Sequence, residues 1–285
     1  MLPAKLLSLI FSVIPDSLVM YAAVVLSPIF YNIIVRKNRL GLRVAKIIPK
    51  VFKKREVSWQ QHIIRQNSVH LMKLAGEILK AHYKKDWWLN KKCYIAEGRH
   101  YLDELFHSGQ GFVIMTCHLG NWEYAAAYLA MKYQRLHAPV FVEDSPGNRA
   151  LNWIRLGHRV ELMEASTEPR VSAGTLRKIL ELLQKGEIVY LVADQEALGG
   201  SYQGVFFGKE LVLFGGPFII GRKTGRPLLP MYSLRDEKNR IALHFEEPMY
   251  LPGEDLQRDI RKVVDFFERN ISRHPDQYIW SQERW

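Results

Sequence analysis

Apolar and polar positions in this chain follow two different periods, and the changes of period mark out its elements. Residues 113–117 form a short apolar run of strand type, which Gly120 and Asn121 interrupt. The run Trp122-Glu-Tyr-Ala-Ala-Ala-Tyr-Leu-Ala130 then reads as a helix, with Asn121 placed to cap it. Residues 139–142 and 188–192 are further short strands, and Gly186 ends an amphipathic helix over 173–185. Residues 228–234 and 241–245 flank the turn Asp236-Glu-Lys-Asn239 as a hairpin. Leu256, Ile260, Val263, Val264, Phe267 and Ile271 recur at helical spacing within 254–273. Ser58-x-x-Gln61 has the form of a capping box, opening a helix that runs to about residue 80. Strands alternating with helices predict the α/β class, a layered mixed sheet flanked by helices.

The N-terminal region follows neither pattern. Residues 18–35 carry no charge, and the stretch is about long enough to cross a bilayer, although Pro28 and Asn32 weaken it and Pro15-Asp16 interrupt the apolar run before it. No small-x-small cleavage site follows, so a retained membrane-anchoring helix is expected rather than a secretory leader. A basic window comes next: Arg36, Lys37, Arg39, Arg43, Lys46, Lys50, Lys53, Lys54 and Arg55, with no acidic residue among them. Leu40, Val44, Ile47, Ile48 and Val51 form a second face of the same helix, which Pro49 kinks or splits. A basic amphipathic helix after an apolar stretch predicts contact with an anionic membrane surface. Basic residues on this flank place the catalytic domain on the cytoplasmic side. Trp87-Trp88, between lysine pairs, is either a second interfacial contact or a packed loop.

Composition sharpens this picture in three ways. No Pro/Gly/Ser-rich linker divides the 285 residues, so the expected organisation is an anchor and the start of the basic segment over 1–40, then one catalytic domain over 41–285. The formal net charge of +11 calls for an anionic partner. Cys93 and Cys117 make no disulfide framework, and Cys117, inside an apolar strand, reads as a buried structural thiol.

The chemistry centres on His118 and Glu123. Their spacing puts an imidazole at a strand's end and a carboxylate in the first turn of the next helix. There Glu123 can accept one ring N–H and leave the other nitrogen as a base. The alternative is a histidine closing a strand and a glutamate favourably placed on a helix dipole. Gly120, beside Asn121, offers backbone amides near the helix start as an oxyanion contact. No G-x-S-x-G elbow is present, so a serine-nucleophile route has no support. H-E-x-x-H, P-loop and G-x-G-x-x-G motifs are absent as well, and neither metal nor cofactor is expected.

The block Gly111-Phe-Val-Ile-Met-Thr-Cys-His-Leu-Gly-Asn-Trp-Glu123 resembles the His-x4-Asp/Glu block of the bacterial lipid A biosynthesis acyltransferases, the lauroyl/myristoyl transferase family. Further blocks follow in the family's order: Ala193-Asp-Gln195, Phe206-Phe-Gly208, Gly216-Pro217, Thr224-Gly-Arg-Pro-Leu-Leu-Pro230 and His274-Pro-Asp-Gln-Tyr-Ile-Trp280. The resemblance implies a glycerolipid-acyltransferase-like fold and transfer of a fatty acyl chain from acyl carrier protein to a hydroxyl of a lipid A-type precursor, at the bacterial inner membrane. His118 and Glu123 would be catalytic, with Arg155, Asp194, Asn121 and Gly120 around the substrate. Arg155 would bind a phosphate or stabilise the oxyanion, with Arg159 the competing register, and Asp194 would orient Arg155 or hold the acceptor. The chain departs from the family where Leu211, Val212, Leu213 and Phe214 replace small and hydroxyl residues, and where Gln282 stands in place of a second histidine. The bulky run is the candidate wall of an acyl channel.

Two other readings use the same features. One keeps the chemistry and changes the acceptor to another amphipathic glycolipid or amino-acid lipid. The other is a basic membrane protein that binds lipid or nucleic acid without catalysis. Nucleic acid is not the expected partner, because the basic residues follow an apolar anchor rather than interleaving with exposed aromatics in a recognised module.

Overall fold

The computed structural model describes residues 2–31, 39–83, 86–133, 136–141, 160–165, 169–195 and 202–281, with Asn152, Trp153, Arg155, Gly157 and Arg159. Arg36, Lys37 and Gln282 lie outside the described residues. In chain order the elements are α1 (Leu2–Val13), α2 (Asp16–Phe30), α3 (Arg39–Val51), α4 (Val57–Ala81), α5 (Asp86–Lys92), β1 (Cys93–Glu97), α6 (Arg99–His107), β2 (Phe112–Thr116), α7 (Trp122–Tyr133), β3 (Leu136–Phe141) and β4 (Val160–Ala165). Then come α8 (Pro169–Gln184), β5 (Ile188–Val192), β6 (Gln203–Phe206), β7 (Lys209–Val212), α9 (Gly216–Thr224), β8 (Leu228–Arg235), β9 (Ile241–Phe245) and α10 (Leu256–Arg273).

Seven strands form one sheet in the order β1-β9-β8-β2-β5-β3-β4. β2 is its centre, parallel to both β5 and β8, and β8–β9 is the antiparallel pair expected from the hairpin signal. All five β2 residues are buried, as a strand covered on both faces requires. The sheet is therefore mixed and flanked by helices, as the alternating pattern predicts. β6 and β7 form a separate hairpin that packs beside α10.

Packing bears on three local expectations. The helix over 57–81 starts one residue before Ser58, so the proposed capping box does not form; the Gln60 side chain instead donates to the Phe52 and Arg55 carbonyls and closes the entry turn. The apolar face of α3 is not presented to a membrane: Val44, Ile47 and Ile48 are buried in the core, leaving Lys46 and Lys50 exposed. Of the anchor expected over 18–35, residues 32–35 lie outside the described residues and 18–30 fall within α2, which begins at Asp16 after the break at Pro15. Among the described residues no single helix is long and apolar enough to cross a membrane; α1 and α2 together form a pair bent by 111°. Both pack against α4. The Trp87-Trp88 pair divides: Trp88 is buried and donates to Asp16, whereas Trp87 is exposed with the Lys91 ammonium 5.1 Å from its ring centre.

Candidate active site

The parallel register of β2 and β5 builds the site. Thr116 lies opposite Val192, and the Ala193 N–H continues the ladder to the Thr116 carbonyl. Two residues further on each strand stand His118 and Asp194, brought side by side at the carboxyl edge of the sheet, where open α/β sheets bind ligands. The His118 ring Nδ1 lies 2.7 Å from Asp194 Oδ1, and the His118 backbone N–H donates to Oδ2 at 3.1 Å. An Nδ1–H held by a carboxylate makes Nε2 the nitrogen that accepts a proton. Trp122 packs edge-on against the imidazole at 4.6 Å.

Glu123 has a different partner from the one expected. Its carboxylate receives the Arg155 guanidinium in a two-pronged contact, Nε to Oε2 at 2.9 Å and Nη2 to Oε1 at 2.5 Å, and also the Trp122 indole N–H at 3.1 Å. Arg155 donates in addition to Asn152 Oδ1. Burial opposes its positive charge, but the charge and hydrogen bonds of Glu123 outweigh that, so Arg155 titrates above the ordinary arginine range. The two carboxylates have thus exchanged roles: Asp194 holds Nδ1, and Glu123 holds the arginine that Asp194 was expected to orient. The cause is geometric, since β5 delivers Asp194 level with His118 across the sheet, whereas Glu123 sits inside the first turn of α7. Arg159 is exposed and paired with Asp86 at 3.0 Å, so Arg155 is the arginine that reaches the site.

Asn121 and Gly120 are placed under the site rather than in its opening. Asn121 caps α7, its Oδ1 accepting the Tyr124 N–H at 2.9 Å, while its Nδ2 donates to Glu77 at 2.8 Å. The side chain is fully buried with both ends engaged. Gly120 has φ +68°, and a Cβ there would lie 2.0 Å from the Ser233 carbonyl oxygen, so only glycine fits. Its N–H donates to the Gln277 carbonyl at 2.9 Å and is committed there, not turned toward an oxyanion.

The His274–Trp280 block explains itself here. Ile279 N–H donates to the His118 carbonyl and Leu119 bridges Tyr278, so this segment clamps the loop that carries the histidine. Asn67 on α4 donates to the Asp276 and Tyr278 carbonyls and fixes the clamp from behind.

Sequence reasoning missed the ion cluster that supports this loop. Glu77 on α4 is buried and takes the Arg235 guanidinium through both oxygens, with Lys92 at 3.5 Å. Charge and hydrogen bonding from Glu77 outweigh the burial cost and raise the Arg235 pKa. The signal was present: Ile63, Asn67, His70, Leu74, Glu77 and Ala81 form a buried stripe at spacings of four and three, three of them polar. Polar residues on a buried stripe need partners, and these bind the site from below.

Beside Asp194 lies a small apolar cavity of about 10 Å³, lined by Phe206, Leu213, Phe214, Phe218 and Phe267. Two of the four bulky residues singled out from the sequence therefore border the site, while Leu211 and Val212 line an adjoining groove of about 690 Å³ between the β6–β7 hairpin and α10. The described residues hold no group of three His, Cys, Asp or Glu side chains arranged for a metal ion.

A histidine held by an acid at the carboxyl edge of a parallel sheet, with apolar side chains alongside, has the form of a general base next to an apolar surface. Comparison with known proteins gives the particular family. Residues 36–285 match the family described as bacterial lipid A biosynthesis acyltransferase, and the chain belongs to it. It is similar to the lipid A biosynthesis palmitoleoyltransferase of Escherichia coli (strain K12), 22% identical over 198 residues covering 68% of this chain and 62% of that protein. It is equally similar to the phosphatidylinositol mannoside acyltransferase of Mycobacterium tuberculosis (strain CDC 1551 / Oshkosh), 22% identical over 194 residues, 67% of this chain and 60% of that one. The chain thus spans about three-fifths of the length of the curated relatives it matches.

Proposed function

We propose that the protein moves a fatty acyl chain from an acyl carrier protein thioester to a hydroxyl of a lipid A-type glycolipid precursor at the cytoplasmic face of the bacterial inner membrane. The observation that carries the reading is the His118–Asp194 pair beside the apolar cavity. His118 Nε2 takes the proton of the acceptor hydroxyl as its oxygen attacks the thioester carbon. The new C–O bond gives a tetrahedral oxyanion; its collapse breaks the C–S bond, and the departing thiolate recovers the proton from the imidazolium. Asp194 keeps Nδ1 protonated and stabilises the imidazolium between the two transfers. Glu123 holds Arg155, whose guanidinium suits a phosphorylated donor or acceptor. The acidic carrier fits the basic charge of the chain.

A second acceptor class, a phosphatidylinositol mannoside-like glycolipid, is favoured by the equal similarity to the mycobacterial relative. Mass spectrometry of the lipids of cells with and without the protein separates the two. One added acyl chain on a lipid A precursor supports the first, and one on another glycolipid the second. Unchanged lipids with the protein expressed contradict both.

A further inference from the structure

The α1–α2 pair is fastened to the domain at its bend. Asp16, the first residue after the break, forms an ion pair with the buried Lys80, receives the Trp88 indole N–H at 3.1 Å, and lies 3.9 Å from Lys92. Lys80 also donates to the Ile14 carbonyl at 2.5 Å, and Ser8 to the Leu79 carbonyl at 2.6 Å. Val19, Met20 and Ala23 are buried on the inner face, and Gly76 lets α2 approach α4 so closely that a Cβ there would sit 2.6 Å from Val19 Cγ1.

The outer face is the reverse. Leu9, Ile10, Val13, Tyr21, Val25 and Ile29 are each about half exposed or more, on two helices whose only outward charges are at their ends. A soluble domain does not leave so large an apolar patch uncovered. Helices of 12 and 15 residues are each short of the roughly 20 needed to span a bilayer. Spanning by the two helices together would require straightening the bend, which would tear Asp16 from Lys80 and leave a buried ammonium without its carboxylate.

We propose that this face lies in the plane of one anionic leaflet, both helices on the side of the catalytic domain, so that the protein enters the membrane without crossing it. The proposal rests on the reading that the protein works at a membrane. Charge selects the occupant: the exposed lysines of α3 and the segment after it, Lys46, Lys50, Lys53 and Lys54, suit anionic headgroups. Trp87, exposed beside the Asp16-bound Trp88 and with Lys91 over its ring, has the amphipathic character of an interfacial anchor.

The test uses the full chain on vesicles of phosphatidylglycerol and phosphatidylethanolamine, with phosphatidylcholine vesicles as the neutral comparison. Cys93 and Cys117 are buried, so a spin label introduced at Leu9→Cys or Val25→Cys reports one position. In-plane insertion gives both labels similar shallow depths, roughly 5–10 Å below the headgroups. One label at the bilayer centre, or one reachable only from the far side, overturns the proposal while keeping the membrane reading. Absence of binding to either vesicle overturns both. The pair Val13→Asp and Val25→Asp should weaken binding at least tenfold at low and high salt with the thermal midpoint unchanged; unaltered binding would place the contact on another surface.

Discussion

Two charged constellations meet at the start of α7, and they are built for opposite ends. In front, His118 pairs with Asp194 and Glu123 with Arg155, and the side chains of Glu123 and Arg155 keep 12% and 21% of their surface. Behind, Glu77 and Arg235 keep 1% and 5%, and Glu77 accepts from Asn121, which caps the same helix. Of these groups the Glu123–Arg155 pair is the most open to a ligand, and in front only His118 is a group that readily exchanges a proton; the rear pair is almost closed off. The reacting histidine is therefore only as well placed as the loop under it. That loop is pinned by a buried ion pair, by a glycine pressed against the Ser233 carbonyl, and by the clamp at Tyr278 and Ile279. Chemistry and support should therefore fail in different ways when each is broken.

The largest separation should come from Asp194→Asn. The amide offers an N–H to Nδ1 and favours the wrong tautomer, so kcat should fall on the order of 10²–10⁴-fold. Circular dichroism and thermal midpoint should remain near wild type. Glu123→Ala should cost less turnover, because Arg155, not the imidazole, loses its partner; the reverse order would return Glu123 to the role first expected of it.

On the rear side, Arg235→Ala strands the Glu77 carboxylate in the interior and should destabilise the fold by about 3–5 kcal/mol in urea unfolding. The double change Glu77→Gln with Arg235→Met removes both charges and should recover part of that loss. If Arg235→Ala left stability intact and abolished only turnover, the rear cluster would belong to the chemistry.

His70, beside this cluster, sharpens the contrast through pH. Burial, then the charges of Arg235 and Lys73, hold its pKa well below the ordinary histidine value. It stays neutral in the fold, whereas the unfolded chain takes up a proton below about pH 6.5. Stability should therefore fall as pH drops below that value, by up to about 1.4 kcal/mol per pH unit from this group. Unfolding of His70→Gln should show a shallower pH dependence by one proton, and an unchanged slope would mean that the histidine titrates normally.

The smallest effect concerns the cavity. Phe214 borders it beside Asp194, and Phe214→Ala should shift preference toward longer thioester donors, roughly fourfold for each methylene newly accommodated, from about 0.8 kcal/mol of burial. A competition among donors differing only in length reads this directly, and an identical profile would make Phe214 an ordinary packing residue.

How much was legible follows the same division. His118, Glu123 and the Asn121 cap were readable because they fall within one strand-turn-helix, where spacing fixes geometry. The hairpin over 228–245 and the helix that became α10 were readable by period and turn chemistry. The Asp194 role was not, because it depends on the β2–β5 register, which no local pattern specifies. The Glu77 contacts span 44 residues to Asn121 and 158 to Arg235, beyond any motif. The break at Pro15-Asp16 was readable, but not the fastening of Asp16 to Lys80 and Trp88, which lie 64 and 72 residues away in the sequence.

The central claim is that His118 is the base of an acyl transfer. The direct measurement is turnover of a purified acyl-carrier-protein thioester and glycolipid acceptor by wild type and His118→Ala, both folded and in the same vesicles. Turnover of His118→Ala should fall on the order of 10²–10⁴-fold with donor binding retained. Turnover near wild type in His118→Ala would contradict it.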